Sequence, residues 1–407
     1  MRLFIFSCFS KTALGRSMTN PPKIIVVGPG YPFRNGQSVF LSTLCHQLSS
    51  EYKVELVNYT LLYPKFLFPG SSQFDNSRAN KAVFPNKRML SSLNPFSWWR
   101  TAKYIQRQRP DVIAIDWWHP FFGPCNRFLT GFLPKALRRK VIFITENVIS
   151  HEANKVDKML TRFGLKNANG FLALSASVEQ HLDTLFHKKV FRSALPIYDF
   201  YGAGHGESSA EAKAAFGLKP GDRVFLFFGL IRKYKGLDLL LEAFALLCRE
   251  YQDIKLLVAG DFYEPSGPYF DLIREFHLEK VVLMENRYIP NEEVARYFQA
   301  GDVVVLPYRS ATQSGILSMA YGFRKPVVVT PVGELGALVE EGKTGIVVPG
   351  PTVEAIADGL SAYLELQASG EPFEQNIEAY LERTDEFKKI NGVFGKIVDH
   401  CRAKGQE

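Results

Sequence analysis

A chain of 407 residues, 46% hydrophobic and 22% charged, is globular in composition and too long for one ordinary core, so two domains are expected. The formal charge of +8 suits an anionic ligand or a peripheral contact with an acidic membrane; the basic residues follow no nucleic-acid-binding motif, which argues against nucleic acid. The five cysteines (8, 45, 125, 248, 401) lack CxxC or Cys/His spacing, pointing to reduced thiols in a cytosolic protein, and no apolar run is long enough to span a bilayer.

Residues 1–20 are expected to lie outside the fold as a disordered tail. Their apolar run between Arg2 and Lys11 is short for a signal peptide, and Met18 stands as an alternative start. Residues 23–27 (KIIVV) read as a central strand, followed by GPGYPFRNGQ and a helix over 38–48. Gly28, Gly30 and Gly36 thus form a glycine-rich strand-to-helix loop, without the GxGxxG spacing, read as facing a phosphate or substrate or else as a flexible turn. A strand is expected at 54–57. Residues 61–84 read as a long irregular insertion of the kind that is usually functional or mobile.

Residues 94–109 (NPFSWWRTAKYIQRQR) read as a helix with Pro95 in its first turn. Its tryptophans and cations suit a membrane surface, but a buried tryptophan pair with a solvated basic face is the favoured reading. The strand at 111–115 ends in DWWHPFFGP, which sets His119 just past a strand's carboxyl end, where α/β folds receive ligands. His119 is therefore a candidate for acceptor contact or proton transfer, with a purely structural role as the alternative. After the strand at 141–145, Glu146, Asn147, His151 and Glu152 gather polar chemistry at the same sheet edge. A further strand at 170–175 precedes a helix over 178–185 capped by Ser177.

The Gly-, Ser- and Ala-rich segment after residue 200 reads as a linker. Domain boundaries are accordingly expected at 21–199, a linker at 200–222, 223–380, and a terminal helical stretch at 381–407. The second domain opens with a strand at 224–228, then GLIRKYKG and a helix over 237–247. Arg232, Lys233, Lys235 and Gly236 place cations at a strand-to-helix junction, where they can pair with phosphate oxygens. Strands at 255–259, 281–284 and 303–306 and a helix over 291–300 follow. The last of these strands leads into RSATQSGILSMAYGF, a polar loop opening a helix whose unpaired N–H groups favour an anion. There Thr312 and Ser314 can cap the helix or donate to phosphate, and Gly315 can let it approach. A strand at 327–330 and helices over 353–366 and 385–402 complete the βα repeat.

The ordered motifs FFGLIRKYKGLDLLLEAF, LLVAGDF, RYIPNEEVARYFQAGDVVVLPY and KPVVVTPVGELGALVEEGKTGIVVPG resemble the donor-binding domain of the retaining family-four glycosyltransferases. KIIVVGPGYPFRNG is similar to their glycine loop, and the SATQSG loop resembles that of a subset of bacterial members. The resemblance implies an α/β GT-B fold: two Rossmann-like domains facing across a cleft, with a C-terminal helix crossing back to the N-terminal domain. It also implies a nucleotide-sugar donor, retention of configuration, and no metal or other cofactor. By match to the family motif, Arg232 and Lys235 would hold the donor diphosphate. Ser314, Gly315 and Ile316 would offer backbone N–H groups, and Arg287, Tyr288 and Ile289 would contact the base. Gly30 and Gly36 would face the donor. His119, Glu146, Asn147 and His151 would line the acceptor side, and His119 would position the sugar or move a proton.

The family's two glutamates fall on Ala311 and Met319, neither of which can bind a hydroxyl; Gln313 is the polar neighbour able to compensate. The implied acceptor is a glycan, glycolipid or lipid-linked molecule in cell-surface assembly, handled in the cytoplasm or at the inner face of the plasma membrane. A non-catalytic nucleotide-sugar-binding protein and a sugar-nucleotide epimerase are the rival readings.

Overall fold

The computed structural model describes residues 21–64, 73–75, 84–148, 155–198, 207–384 and 389–405. Its first lobe begins β1 (Lys23–Val27), α1 (Gly36–Leu48), β2 (Lys53–Leu61), β3 (Asn86–Ser91) and α2 (Pro95–Gln108). It continues with β4 (Val112–Trp117), α3 (Gly123–Gly131), α4 (Lys135–Arg138), β5 (Val141–Thr145) and α5 (Lys155–Gly164). β6 (Gly170–Ala173), α6 (Ala176–Phe186) and β7 (Lys189–Arg192) close it. All seven strands are parallel, in the order β3-β2-β1-β4-β5-β6-β7. In β1, Ile24 and Val26 join one buried cluster while Ile25 and Val27 join another. Alternate side chains point to opposite faces, so a strand apolar at every position is covered on both sides.

The second lobe repeats the plan. α7 (Ser209–Ala215) leads to β8 (Arg223–Phe228), α8 (Leu237–Leu247), β9 (Ile254–Gly260), α9 (Gly267–Glu275) and β10 (Val282–Asn286). Next come α10 (Asn291–Ala300), β11 (Val303–Leu306), α11 (Gly315–Gly322), β12 (Val327–Val329) and β13 (Gly345–Val347). α12 (Val353–Ala368), α13 (Phe373–Arg383) and α14 (Lys389–Gly405) end the chain. The parallel order β10-β9-β8-β11-β12-β13 reverses direction between β8 and β11, as the first sheet does between β1 and β4. Crevices at such reversals, outside the carboxyl ends of the strands, are where open α/β sheets bind ligands.

Helix α14 buries Ile390, Phe394, Ile397 and Cys401, one helical stripe, and returns to the first lobe. Arg402 Nε donates to Asp111 Oδ1 at 3.1 Å, and Asn391 Nδ2 donates to Glu51 Oε1 at 3.1 Å.

Several expectations are corrected. The anticipated linker at 200–222 contains α7, whose capping box joins Ser208 and Glu211 and whose Ala212 is fully buried; its alanines belong to a short docked helix. Ser175, not Ser177, caps α6, accepting from Val178 N at 3.2 Å. The edge strands β3 (NKRMLS) and β7 (KVFR) carry too few apolar residues to stand out as strands. Trp98 is buried and donates to Ser91 O at 2.6 Å, whereas Trp99 is exposed, so the tryptophan pair divides between core and surface. The four cysteines among the described residues are free.

Candidate functional site

The carboxyl ends of both sheets meet across a cleft of about 750 Å³. From the first lobe it is lined by the loop and first turn of α1 (Arg34 to Gln37), by His119, and by Glu146 and Asn147. From the second it is lined by Gly229, Arg232, Lys235, Asp261, Tyr288, Ile289 and the stretch from Ser310 to Ile316. Of the residues the sequence sets at strand ends, His119, Glu146, Asn147, Arg232, Lys235, Ser314 and Gly315 thus line one cleft.

The basic loop is rigidly built. Gly229 and Gly236 have φ of 105° and 70°, and a Cβ on Gly236 would come within 2.1 Å of Pro307 O, so only glycine fits. Arg309 braces this loop from beneath: it pairs with Asp238 through two contacts of 2.7 and 2.9 Å and donates to Lys233 O at 2.8 Å. Arg232 then projects over the ring of Tyr263 at 5.2 Å, and Lys235 Nζ lies 5.6 Å from the centre of Tyr308. Lys235 is 8% exposed. Burial, with the Arg232 charge added, pulls its ammonium down to about 8. Neither Arg232 nor Lys235 makes a salt bridge among the described residues. Two cations held side by side without a carboxylate form a site that gains from an anion.

The serine loop supplies the facing wall. Ser314 caps α11, its Oγ accepting from Leu317 N at 3.4 Å, while the N–H groups of Gly315 and Ile316 have no intrahelical acceptor. A Cβ on Gly229 would stand 3.3 Å from Lys235 Nζ and 3.2 Å from Ile316 Cδ1, so the ammonium and the first turn of α11 meet over that glycine. Gly315 has a packing reason for its identity: a Cβ there would lie 3.1 Å from the ring of Tyr198. The amide of Gln313 is buried, and neither its oxygen nor its nitrogen has a partner among the described residues. Ala311 and Met319 also line the cleft.

On the opposite wall, His119 Nδ1 accepts from Phe121 N at 3.1 Å, so the proton of the neutral ring sits on Nε2. Burial lowers its pKa, opposed by Asp157. Glu146 accepts from Gln37 Nε2 at 3.2 Å, and burial pushes its carboxyl up to about 7. Behind it, Asp116 is 1% exposed and is driven well above the usual carboxylate range by burial and by the Glu146 charge. Asp116 sits inside the buried strand β4, where an acid carries no sequence signal of a site.

Two candidates fall elsewhere. Gly30 lies behind the cleft lining: its N–H donates to Asn58 Oδ1 at 3.1 Å, and a Cβ would strike Leu56 Cδ2 at 2.4 Å. Arg287 turns outward to Glu293, with Glu285 Oε2 at 3.1 Å and Tyr297 Oη at 3.0 Å, because those acceptors neutralise it outside the cleft. Tyr288 and Ile289 remain in the lining, and Arg34 stacks 4.7 Å over the Tyr288 ring. His151 and Glu152 lie outside the described residues.

Two parallel sheets facing across this cleft, with a terminal helix crossing back, define a GT-B protein. Residues 222–365, within the second lobe, match the family model Glycosyl transferases group 1. The D-inositol 3-phosphate glycosyltransferase of Corynebacterium urealyticum is 33% identical over 201 residues, 46% of each chain. The alpha-D-kanosaminyltransferase of Streptomyces kanamyceticus is 31% identical over 181 residues, 44% of this chain and 46% of the relative. The matched stretch therefore spans about half the length of these relatives.

Among solved structures, Anabaena HepE in complex with UDP and glucose superposes with a TM-score of 0.69 at 14% identity, over 93% of this chain and 99% of that one. Sucrose-phosphate synthase from Thermosynechococcus elongatus gives 0.69 at 16%, over 94% and 99%. At such identities the likeness is one of fold.

Proposed function

We propose that the protein is a retaining glycosyltransferase. It would move a sugar from a nucleoside-diphosphate donor to a glycan, glycolipid or lipid-linked acceptor in cell-surface polysaccharide or glycoconjugate assembly. It would work on the cytoplasmic side, peripherally at a membrane, with the nucleotide sugar as substrate and no cofactor. The observation that carries this reading is the unpaired Arg232–Lys235 pair meeting the open first turn of α11.

As the bond from the sugar to the diphosphate breaks, its electron pair passes to a phosphate oxygen. Cations and N–H groups already in place stabilise that charge, by about 3 kcal/mol for one well-placed donor. The acceptor oxygen then bonds to the same face of the sugar carbon and yields its proton to the departing phosphate. In this reading Gln313 holds the nucleotide, Tyr288 and Ile289 border the base, and His119 Nε2 donates to a sugar or acceptor oxygen. Glu146 and Asn147 border the acceptor.

The test is thermal stabilisation by nucleoside diphosphates, which raise the melting temperature only by binding the folded state. One diphosphate is expected to stabilise the protein, and Arg232→Ala to weaken that binding while leaving the fold intact. Unchanged affinity in Arg232→Ala would reject the site. Met319, apolar where the family's ribose-binding glutamate stands, is the observation favouring a non-catalytic binder. Binding without turnover, with lipid extracts as acceptor, would decide for it.

A further inference from the structure

We propose that the outer surface of α2, α3 and α5 is a docking face for an anionic lipid bilayer. These helices lie side by side on one face of the first sheet, their inward residues Trp98, Ile105, Cys125 and Leu129 sharing a single buried cluster. α3 and α5 cross tightly: a Cβ on Gly123 would come within 2.7 Å of Leu160 O. What these helices turn outward is not an ordinary polar surface.

Of the ten large hydrophobic side chains exposed among the described residues, seven lie on or directly after these three helices. Phe96 and Met159 are each 61% exposed, and Trp99, Phe128 and Phe163 are exposed beside them. The rings form two groups, one on α2 and one joining α2, α3 and α5. Phe96 stacks on Trp99 at 5.6 Å, Phe128 stacks on Trp98 at 5.8 Å, and Phe128 meets Phe163 edge-on at 6.0 Å. Single exposed apolar residues are normal on any protein, but seven of ten gathered on three adjacent helices mark a contact surface.

Charge selects the occupant. Helices α2, α3 and α5 carry seven lysines and arginines against one carboxylate, Asp157, an excess of six in a chain whose net formal charge is +8. Arg127 lies 5.7 Å over the Phe163 ring, and Arg100, Lys103, Lys158 and Arg162 are exposed among the aromatics. Aromatic rings at the depth of lipid headgroups, rimmed by cations that meet anionic phosphates, describe a helix layer lying in a bilayer interface. No helix among the described residues is long and apolar enough to cross a membrane, so the contact is interfacial.

The same face borders the cleft. α5 packs against the turn Pro120–Phe122 that His119 caps, and Asp157 of α5 acts on the His119 charge. This part rests on the proposed function: a membrane-held acceptor then reaches the first-lobe wall without leaving the interface.

The experiment is co-sedimentation of the full chain with phosphatidylcholine–phosphatidylglycerol vesicles and with phosphatidylcholine alone. It uses wild type, a Phe96→Ser/Trp99→Ser variant and an Arg100→Glu/Lys103→Glu variant. All four side chains are exposed, so melting temperature and nucleoside-diphosphate stabilisation should stay at wild-type values. Wild type is expected to bind the anionic vesicles only, with each double variant losing about tenfold or more in affinity. Failure to bind anionic vesicles, or undiminished binding in both variants, overturns the proposal. So does a wild-type dimer that both variants dissolve while vesicle binding stays the same, since the face would then join two copies. Vesicle binding lost in the variants with no nucleotide binding in any form sustains the docking face and rejects the glycosyltransferase reading instead.

Discussion

Arg34 of the first lobe and Asp261 of the second form a salt bridge of 2.9 Å across the cleft, with Arg34 side-chain exposure of only 5%. It is one of several ties. Asn291 Nδ2 donates to Asp75 Oδ2 at 2.9 Å, the Thr312 hydroxyl donates to Asn147, and Ala176 N donates to Glu334 Oε1 at 2.8 Å. Together they hold the lobes closed over the cations. Removing one partner of a buried pair costs about 3 kcal/mol at most, and less here because Asp261 is partly exposed and Arg34 keeps its place over the Tyr288 ring. Asp261→Ala is therefore expected to lower unfolding stability by about 2 kcal/mol in urea titration. Adding Arg34→Met should recover most of the loss. A double variant no more stable than Asp261→Ala would show that the pair is not what matters.

The depressed Lys235 ammonium sets a pH dependence for ligand binding. In the empty cleft its proton is lost as pH rises through about 8. A bound diphosphate favours the charged form, so binding at that pH takes up a proton and affinity falls as pH rises further. Calorimetry in two buffers of different ionisation enthalpy at pH 8 should register the uptake. Lys235→Arg, which keeps its charge throughout, should abolish both the uptake and the slope. A wild type that binds equally well at pH 7 and pH 9 would contradict this assignment.

The carboxyls of buried Asp116 and half-buried Glu146 act on stability with a definite sign. Each has a folded pKa above its unfolded value, so the folded state holds a proton that the unfolded chain has released. Their contribution to stability is thus full at acid pH and is lost as pH rises from about 4 toward the folded values, about 7 for Glu146. Glu146→Gln, neutral throughout and still able to accept from Gln37, is expected to flatten the stability profile over that window by on the order of 2 kcal/mol. Asp116→Asn should be close to neutral at pH 7. Urea midpoints that run parallel for wild type and Glu146→Gln would refute the raised Glu146 value.

Much of this arrangement is legible in the sequence, for reasons tied to particular residues. Central strands such as β11, and β1 after Lys23, are continuously apolar because both faces are covered, and that pattern reads directly. Loops at their carboxyl ends inherit a predictable location, which is why the positions of Arg232, Lys235, Ser314, His119 and Glu146 along the cleft are legible from the strand pattern. Edge strands and outward-facing side chains resist the same treatment. β3 shows its cations to solvent, and Arg287 shares its stretch with Tyr288 and Ile289 yet turns away, a choice made by Glu293 through folded contacts. Asp116 is invisible for the opposite cause, since only the fold shows that an acid within VIAIDW lies buried with Glu146 near it.

Gln313 offers the sharpest separation between ligand recognition and folding. Its amide is buried at the cleft wall, and neither polar atom has a partner among the described residues, an arrangement that costs stability in the free protein. An orphaned amide beside Met319 and Ala311, where two glutamates are absent, has the donor and acceptor needed for ribose or phosphate oxygens. Gln313→Ala should then do two opposite things. It should leave the free protein as stable or slightly more so, by up to about 1 kcal/mol, because an unsatisfied group is removed. It should also weaken nucleoside-diphosphate binding about tenfold, the equivalent of one hydrogen bond lost in a dry site. Thermal unfolding with and without the diphosphate reads both effects in one experiment. A variant that loses stability yet binds normally would assign Gln313 to the packing of the loop and leave the ribose position without a polar contact.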